Sequence, residues 1–115
     1  MTKTTITVPA ANGDSDAQVY LGGAATLVVF GTFDGGTVKL QVSYDEGTTW
    51  LDAVDVNQDL VGSFAANGGE MVWFGGTPQV RANLAGSSGS TAVTCELHYG
   101  LARTRDLYQG NSLPE

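Results

Sequence analysis

The chain has 115 residues, the usual size of one domain, and its composition excludes several classes of protein. Apolar residues make up 42% of the chain and stand in short runs, which is not the pattern of a disordered segment. The formal charge of −7, with only five Lys and Arg residues, opposes binding to phosphate backbones and to anionic membranes. We therefore expect no nucleic-acid partner and no membrane partner.

The cysteine count and the first residues bear on cellular location. Cys95 is the only cysteine, so neither a disulfide within the chain nor a thiolate zinc cluster can form. Residues 1–6, MTKTTI, lack the apolar stretch of a signal peptide, and no apolar run reaches the roughly 18 residues of a membrane span. We expect synthesis and assembly in a cytoplasm.

Glycine-rich turns divide the chain into short segments. The sixteen glycines are about twice the usual share, and the segments between them are rich in β-branched and aromatic residues. This cadence is typical of antiparallel sandwiches and barrels. The sequence predicts an all-β fold, a single antiparallel β-sandwich (jelly-roll or Ig-like) over residues 1–100, followed by a C-terminal arm or tail over residues 101–115.

The first candidate site in chain order is an acidic loop. Asn12, Asp14 and Asp16 place three oxygen-bearing side chains at alternate positions, as a calcium loop begins. No Glu follows at the spacing that such a loop requires, and turns commonly recruit Asn and Asp. A second acidic stretch lies between Asp52 and Asp59 and has the pattern of a solvated face. We expect no metal site at either place.

Two segments are apolar on both faces of the strand that each would form. They are residues 27–30, LVVF, and residues 71–74, MVWF. Such a strand is expected to be central to the sandwich or to be covered on its second face by a neighbouring subunit. Together with the tail, these segments predict a symmetric oligomer.

Three other segments show the two-residue period of half-buried strands, and they are residues 38–44, 80–84 and 93–99. In the first of them, Tyr44 falls on the apolar side of the period. Residues 48–61 contain no glycine and are long enough for a short helix, but their Val and Asp content favours a strand followed by a loop.

Residues 43–50, SYDEGTTW, are similar to the Asp-box, S-x-D-x-G-x-T-W, a β-hairpin signature of sialidases and of many unrelated β proteins. Asp45 is suited to accept hydrogen bonds from turn amides, Gly47 supplies a positive φ, and the ring of Trp50 packs against the hairpin. The motif therefore implies a structural hairpin formed by Ser43, Asp45, Gly47, Thr49 and Trp50.

No catalytic constellation is evident. His98 is the only histidine and falls on the polar side of its strand, whereas Cys95 falls on the opposite side, which argues against a Cys-His dyad. Paired carboxylates for glycoside hydrolysis depend on a separation in space and stay open at this point. We expect a protein that is not an enzyme, without catalytic residues, cofactor or metal.

The C-terminal segment, residues 101–115, holds two of the five basic residues and breaks from the strand cadence. One interpretation is a frayed tail. The other is an arm that contacts a neighbouring subunit, because Arg and Tyr favour interfaces. The candidate interface residues of that arm are Arg103, Arg105, Leu107, Tyr108 and Leu113.

The stretch of residues 30–50 resembles a β-hairpin pattern that is common in small virion proteins of tailed bacteriophages, where a strand like residues 78–84 often follows. Decoration proteins, head fibres and tail components share this pattern. The resemblance implies a virion structural protein, and we expect a capsid decoration (cement) protein on the capsid surface. As a trimer, it would bind the major capsid protein and stabilise the outer capsid surface. The alternatives are a phage tail or head-fibre component and a carbohydrate-binding β-sandwich module.

The aromatic residues bear on the choice between these functions. A glycan platform would use Trp50, Trp73 or Tyr99, and it requires exposed rings with polar groups nearby. Trp73 lies in an apolar run and Trp50 in the hairpin motif, so both are expected in the core. This expectation favours the virion function.

Overall fold

The structure is a computed structural model, and it describes residues 2–54 and 57–100. These residues form strands and no helix. The strands are β1 (Lys3–Thr7), β2 (Gly13–Asp14), β3 (Gln18–Val19), β4 (Gly23–Thr32), β5 (Thr37–Ser43), β6 (Leu51–Asp52), β7 (Ser63–Phe64), β8 (Gly68–Phe74), β9 (Gln79–Ala85) and β10 (Ala92–Tyr99).

The strands form two antiparallel sheets that pack together. The first sheet, sheet A, has the order β1-β10-β4-β8. Sheet B has the order β2-β9-β5-β6, with β3 added to β9 and β7 added to β5. The predicted β-sandwich is therefore confirmed. The interpretation of residues 48–61 as a strand followed by a loop also holds for their described part, where β6 is followed by an isolated bridge between Val54 and Leu60.

Alternate residues of both sheets meet in one core, as the two-residue period predicts for β9 and β10. Every apolar residue of the period in these two strands is buried, namely Val80, Ala82, Leu84, Val93, Cys95, Leu97 and Tyr99. Burial of this kind is worth about 1.5 to 3 kcal/mol for each large aliphatic side chain. It therefore fixes which face of each strand points into the core, since a slip of one residue would turn every inward side chain outward.

The period of β5 ends one residue earlier than predicted. Val38, Leu40 and Val42 are buried, but the next position of the period, Tyr44, is 60% exposed. The prediction for Tyr44 is wrong because the strand ends at Ser43, which is itself buried. The hydroxyl of Ser43 takes part in the hydrogen bonds of the following turn, and the chain direction changes there.

The apolar segment of residues 27–30 belongs to β4, which lies between β10 and β8 and is therefore central in its sheet. Leu27 and Val29 face the core and are buried. On the outer face, Val28 is half-buried and Phe30 is 42% exposed. The described part of the chain thus leaves the second face of this central strand open to solvent.

The apolar segment of residues 71–74 belongs to β8, which is the edge strand of sheet A. Val72 and Phe74 are buried, whereas Met71 is 71% and Trp73 is 75% exposed. The expectation that Trp73 lies in the core is wrong, because the two-residue period of the strand points it outward from the sheet.

An aromatic cluster at one end of the sandwich was not predicted. The ring of Tyr20 is fully buried and packs edge-on against Phe74 and Tyr99, with centroid distances of 5.0 and 5.4 Å. The hydroxyl of Tyr20 donates to the carbonyl of Gly23, and the hydroxyls of Tyr99 and Thr4 lie 2.7 Å apart. Tyr99 is therefore a buried structural residue and not an exposed ring for a glycan.

At Gly31 the backbone of β4 lies very close to the backbone of β10, and a substitution there tests this close approach. A Cβ atom at Gly31 would lie 2.1 Å from the carbonyl oxygen of Ala92, and the φ angle of Gly31 is +137°. We expect Gly31→Ala to destabilise the domain by at least about 2 kcal/mol, because it combines backbone strain with a steric clash. Gly13→Ala is the matched control, since Gly13 has a φ angle of +146° and a Cβ atom there would have no heavy atom within 4 Å. If urea unfolding showed that Gly31→Ala and Gly13→Ala lose the same free energy of unfolding, the steric clash at Gly31 would be contradicted.

Candidate functional site

The hairpin of residues 43–50 is held by a compact set of hydrogen bonds. Asp45 Oδ1 accepts from the amide of Thr49 at 2.7 Å and from the hydroxyl of Ser43 at 2.8 Å. Ser43 Oγ in turn accepts from the amide of Gly47 at 2.8 Å, and Gly47 has a φ angle of +89°. The amide of Thr49, followed by the hydroxyls of Thr49 and Ser43, lowers the pKa of Asp45 to about 2. The turn is therefore organised around one ionised carboxylate.

Trp50 closes this hairpin from the outer face of sheet B. Its Nε1 donates to the carbonyl of Gly47 at 3.0 Å, and the guanidinium of Arg81 lies 4.3 Å from its ring centroid. Arg81 is held in this position by Gln41 at 2.9 Å and by Asp14 at 3.4 Å. Trp50 is half-buried and outside the hydrophobic core, so the expectation that it is a core residue is wrong.

The acidic loop of residues 12–16 binds its own neighbours. The carboxylate of Asp14 accepts from the side-chain amide of Asn83 at 2.8 Å and pairs with Arg81. Asn12 Oδ1 accepts from the amide of Ser87 at 2.8 Å. Over residues 2–54 and 57–100, no group of three or more His, Cys, Asp or Glu side chains is arranged to hold a metal ion.

Cys95 and His98 lie on opposite faces of β10, as the strand period predicts. Cys95 is buried, and burial raises the pKa of its thiol to about 12. On the outer face, His98 Nε2 lies 2.8 Å from Glu96, and Lys3 lies 3.3 Å from the same carboxylate. The hydrogen bonds from His98 and Lys3 lower the pKa of Glu96. These groups form a surface ladder between β1 and β10.

An open groove between the edge strands β6 and β8 carries the two most exposed aromatic residues among those described, Tyr44 and Trp73. This apolar groove is lined by Tyr44, Leu51, Val54 and Trp73, with Asp52 at its side, and has a volume of about 240 Å³. All four apolar residues are at least 44% exposed. Exposed apolar side chains that cluster in this way mark a contact surface more often than scattered ones do.

A second apolar surface adjoins the groove at Trp73. We call it the outer apolar face, and it consists of the outward residues of β4 and β8. Their register places Ala24 beside Trp73, Thr26 beside Met71 and Val28 beside Gly69, and Phe30 continues the row. None of these residues is charged, whereas the other half of the same face carries the Lys3–Glu96–His98 ladder. The two doubly apolar segments in the sequence were the signal for this surface.

The remaining predicted site residues belong to the C-terminal segment. The candidate interface residues Arg103, Arg105, Leu107, Tyr108 and Leu113 lie outside the described residues. In the part of the chain that the structure describes, no helix is long and apolar enough to cross a lipid bilayer.

Asp45 gives the hairpin a specific pH dependence. Because the folded pKa of Asp45 is lower than its ordinary value of 3.8, its stabilisation is complete above that value and is lost as the pH falls towards 2. We expect Asp45→Asn to lower the melting temperature at neutral pH, and we expect its difference from the wild type to narrow between pH 4 and about 2.

The matched control for this experiment is Glu46→Gln, which removes the adjacent carboxylate of the same turn. In the described residues the Glu46 side chain makes no hydrogen bond or ion pair, so Glu46→Gln should melt close to the wild type at neutral pH. If thermal unfolding showed that the melting temperature of Asp45→Asn differs from that of the wild type by the same amount at pH 4 and at about pH 2, the proposed role of the Asp45 carboxylate would be contradicted.

Comparisons with known proteins add no relative to this picture. No protein-family model, no curated protein sequence and no solved structure matches the chain. The function must therefore be argued from the residues and surfaces of the chain itself.

Proposed function

We propose that this protein is a non-enzymatic structural protein of a tailed-phage virion, a capsid decoration protein that binds the major capsid protein as a symmetric oligomer. The resemblance of residues 30–50 to hairpins of small virion proteins supports the assignment to a virion. The observation that carries the proposal is the outer apolar face, since it offers a protein partner a surface without charges.

The chemistry of this face suits attachment to protein. Phe30, Met71 and Trp73 are large apolar residues that a monomer would leave in water, and aromatic residues and Met are enriched in protein interfaces. The net charge of −7 suits a position on the outside of a capsid, because packaged DNA repels an acidic protein. A capsid offers many equivalent sites, so an oligomer that engages several coat subunits is held far more tightly than one subunit alone.

Electron microscopy of decoration-free, expanded capsids mixed with the purified protein tests this proposal. We expect ordered density at symmetry-related positions on the outer surface. We expect binding of Phe30→Glu to be at least tenfold weaker, because it replaces a large apolar side chain of the outer apolar face with a charged one. Thr7→Glu is the matched control, since it adds the same charge to the polar half of the same sheet, at an exposed position opposite the neutral Thr94. Density on tails would assign the protein to the tail, and binding to neither structure would overturn the virion proposal.

A carbohydrate-binding module is the second candidate function, and one observation favours it. Tyr44 and Trp73 are both well exposed and line one groove, with Asp52 beside them. Exposed aromatic rings with polar groups nearby are what a sugar-stacking platform requires. The argument from buried aromatics against this function therefore does not apply to Trp73.

Binding to a panel of immobilised glycans distinguishes this second function. If it is correct, Tyr44→Ala and Trp73→Ala should each weaken binding about fivefold, since each removes one stacking ring. Their melting temperatures should stay close to that of the wild type, because both side chains are exposed. Phe30→Ala, which removes an exposed ring outside the groove, should bind normally. Absence of binding to every glycan would contradict this function.

A further inference from the structure

The outer edge of β8 has no strand beside it in the described part of the chain. The strand has seven residues, lies at the end of sheet A and, among the described strands, pairs with β4 alone. An unpaired edge of this length presents free amide and carbonyl groups to any further strand. Natural proteins commonly protect such edges with Lys, Pro or very short strands.

The sequence of β8, GGEMVWF, contains neither Lys nor Pro. Its one charged residue, Glu70, accepts a hydrogen bond from the amide of Gly62 at 2.6 Å, so its carboxylate is bound within its own subunit. The opposite edge strand of the sheet, β1, differs, because it carries Lys3 and its Thr4 hydroxyl donates to the carbonyl of Val19 in β3. The edge of β8 is therefore the one in sheet A that resembles an interface.

We propose that this edge binds a second copy of the chain, so that β8 pairs antiparallel with β8 of the second copy around a two-fold axis at Met71. Sheet A would then run continuously through both subunits. The inference does not depend on the virion proposal, because its test uses the isolated protein.

The register follows from the composition of the strand. A two-fold pairing must be centred on a residue, since otherwise outward side chains would lie opposite inward ones. Only a centre at Met71 pairs all seven residues of β8. A centre at Glu70 would place two like charges directly opposite each other, which is destabilising.

This register also accounts for the exposure of Trp73 and for the glycines at the start of the strand. With Met71 opposite its own copy, Trp73 of one subunit lies opposite Gly69 of the other. The large ring can then cover a position that has no side chain, an arrangement that stabilises edge glycines in sheets. The contact is an isologous one, in which the same two residues meet twice.

Charge does not oppose a second copy at this edge itself. Two molecules with a net charge of −7 repel each other over most of their surface. The outward residues of β8, which are Gly69, Met71 and Trp73, carry no charge, and the proposed register places Glu70 opposite Val72, so the paired strands bring no like charges opposite each other. A two-fold contact alone gives dimers. If the chain also forms a three-fold contact elsewhere, as the expected trimer requires, the two-fold contact would join two trimers.

Disulfide cross-linking of Met71→Cys tests the proposal directly. Directly opposed residues of antiparallel strands have Cα atoms about 4.5 to 5.5 Å apart, which lies in the range that a disulfide can bridge. The natural Cys95 does not compete, because it is buried and burial raises the pKa of its thiol to about 12. We expect Met71→Cys to form covalent dimers at least tenfold faster than either of two controls.

The controls are Trp73→Cys and Thr26→Cys, which are also exposed positions on the same face. In the proposed register each of them lies more than about 10 Å from its own copy, given the rise and spacing of strands. Faster cross-linking of Trp73→Cys would show a different register, equal rates for Thr26→Cys and Met71→Cys would show packing between faces, and either result would overturn the proposal. Failure of all three variants to cross-link would also overturn it.

Light scattering of the full chain gives an independent measurement. The apparent mass of Met71→Lys should be about half that of the wild type, because two ammonium groups would meet at the axis. Thr5→Lys, which places the same charge on the opposite edge strand, should retain the wild-type mass. A wild-type protein that is monomeric at about 100 µM, or a Met71→Lys variant of unchanged mass, would contradict the pairing.

Discussion

The two sheets bury one layer of apolar side chains between them, and this constraint decides which residues of every long strand face water. In β9 and β10 the outward positions are mostly polar. Burial of the inward side chains therefore leaves no large apolar side chain of these two strands in water. In β4 and β8 the outward positions are apolar as well, apart from the two threonines of β4, and the single core has room for only half of the apolar residues of these strands. The outer apolar face is therefore a direct consequence of the sandwich geometry, and the proposed binding function rests on it.

The hairpin of residues 43–50 is held by polar contacts and not by burial in the core. At the surface, the Asp45 carboxylate accepts hydrogen bonds from the amide of Thr49 and from the hydroxyl of Ser43. Trp50 adds a hydrogen bond to Gly47 and a stacked Arg81 without entering the core. Because polar contacts hold this turn, the chain can leave Tyr44 exposed beside the groove without loosening the end of β5.

The sequence predicted the parts of the fold that depend on periodicity. The inward residues of β9 and β10 follow a strict alternation, and their burial could be predicted from it. Trp73 could not be placed in the same way, because an apolar run has the same appearance in a buried strand and in an edge strand with an exposed face. Tyr20 was missed because it follows the two-residue strand β3, which is too short to show a period, and because its partners Phe74 and Tyr99 are distant in sequence.

The proposed edge pairing and the proposed capsid attachment use adjoining parts of one surface. The edge of β8 supplies the hydrogen bonds between two copies, while Phe30 and Val28 lie further into the sheet, away from that edge. Pairing the two edges would join the outer apolar faces of both subunits into one continuous surface of about twice the area. Self-association would then leave the attachment surface uncovered and extend it, and a dimer could engage two coat subunits through equivalent contacts. Two joined copies that engage the capsid at once would in this way be held more tightly than one copy alone.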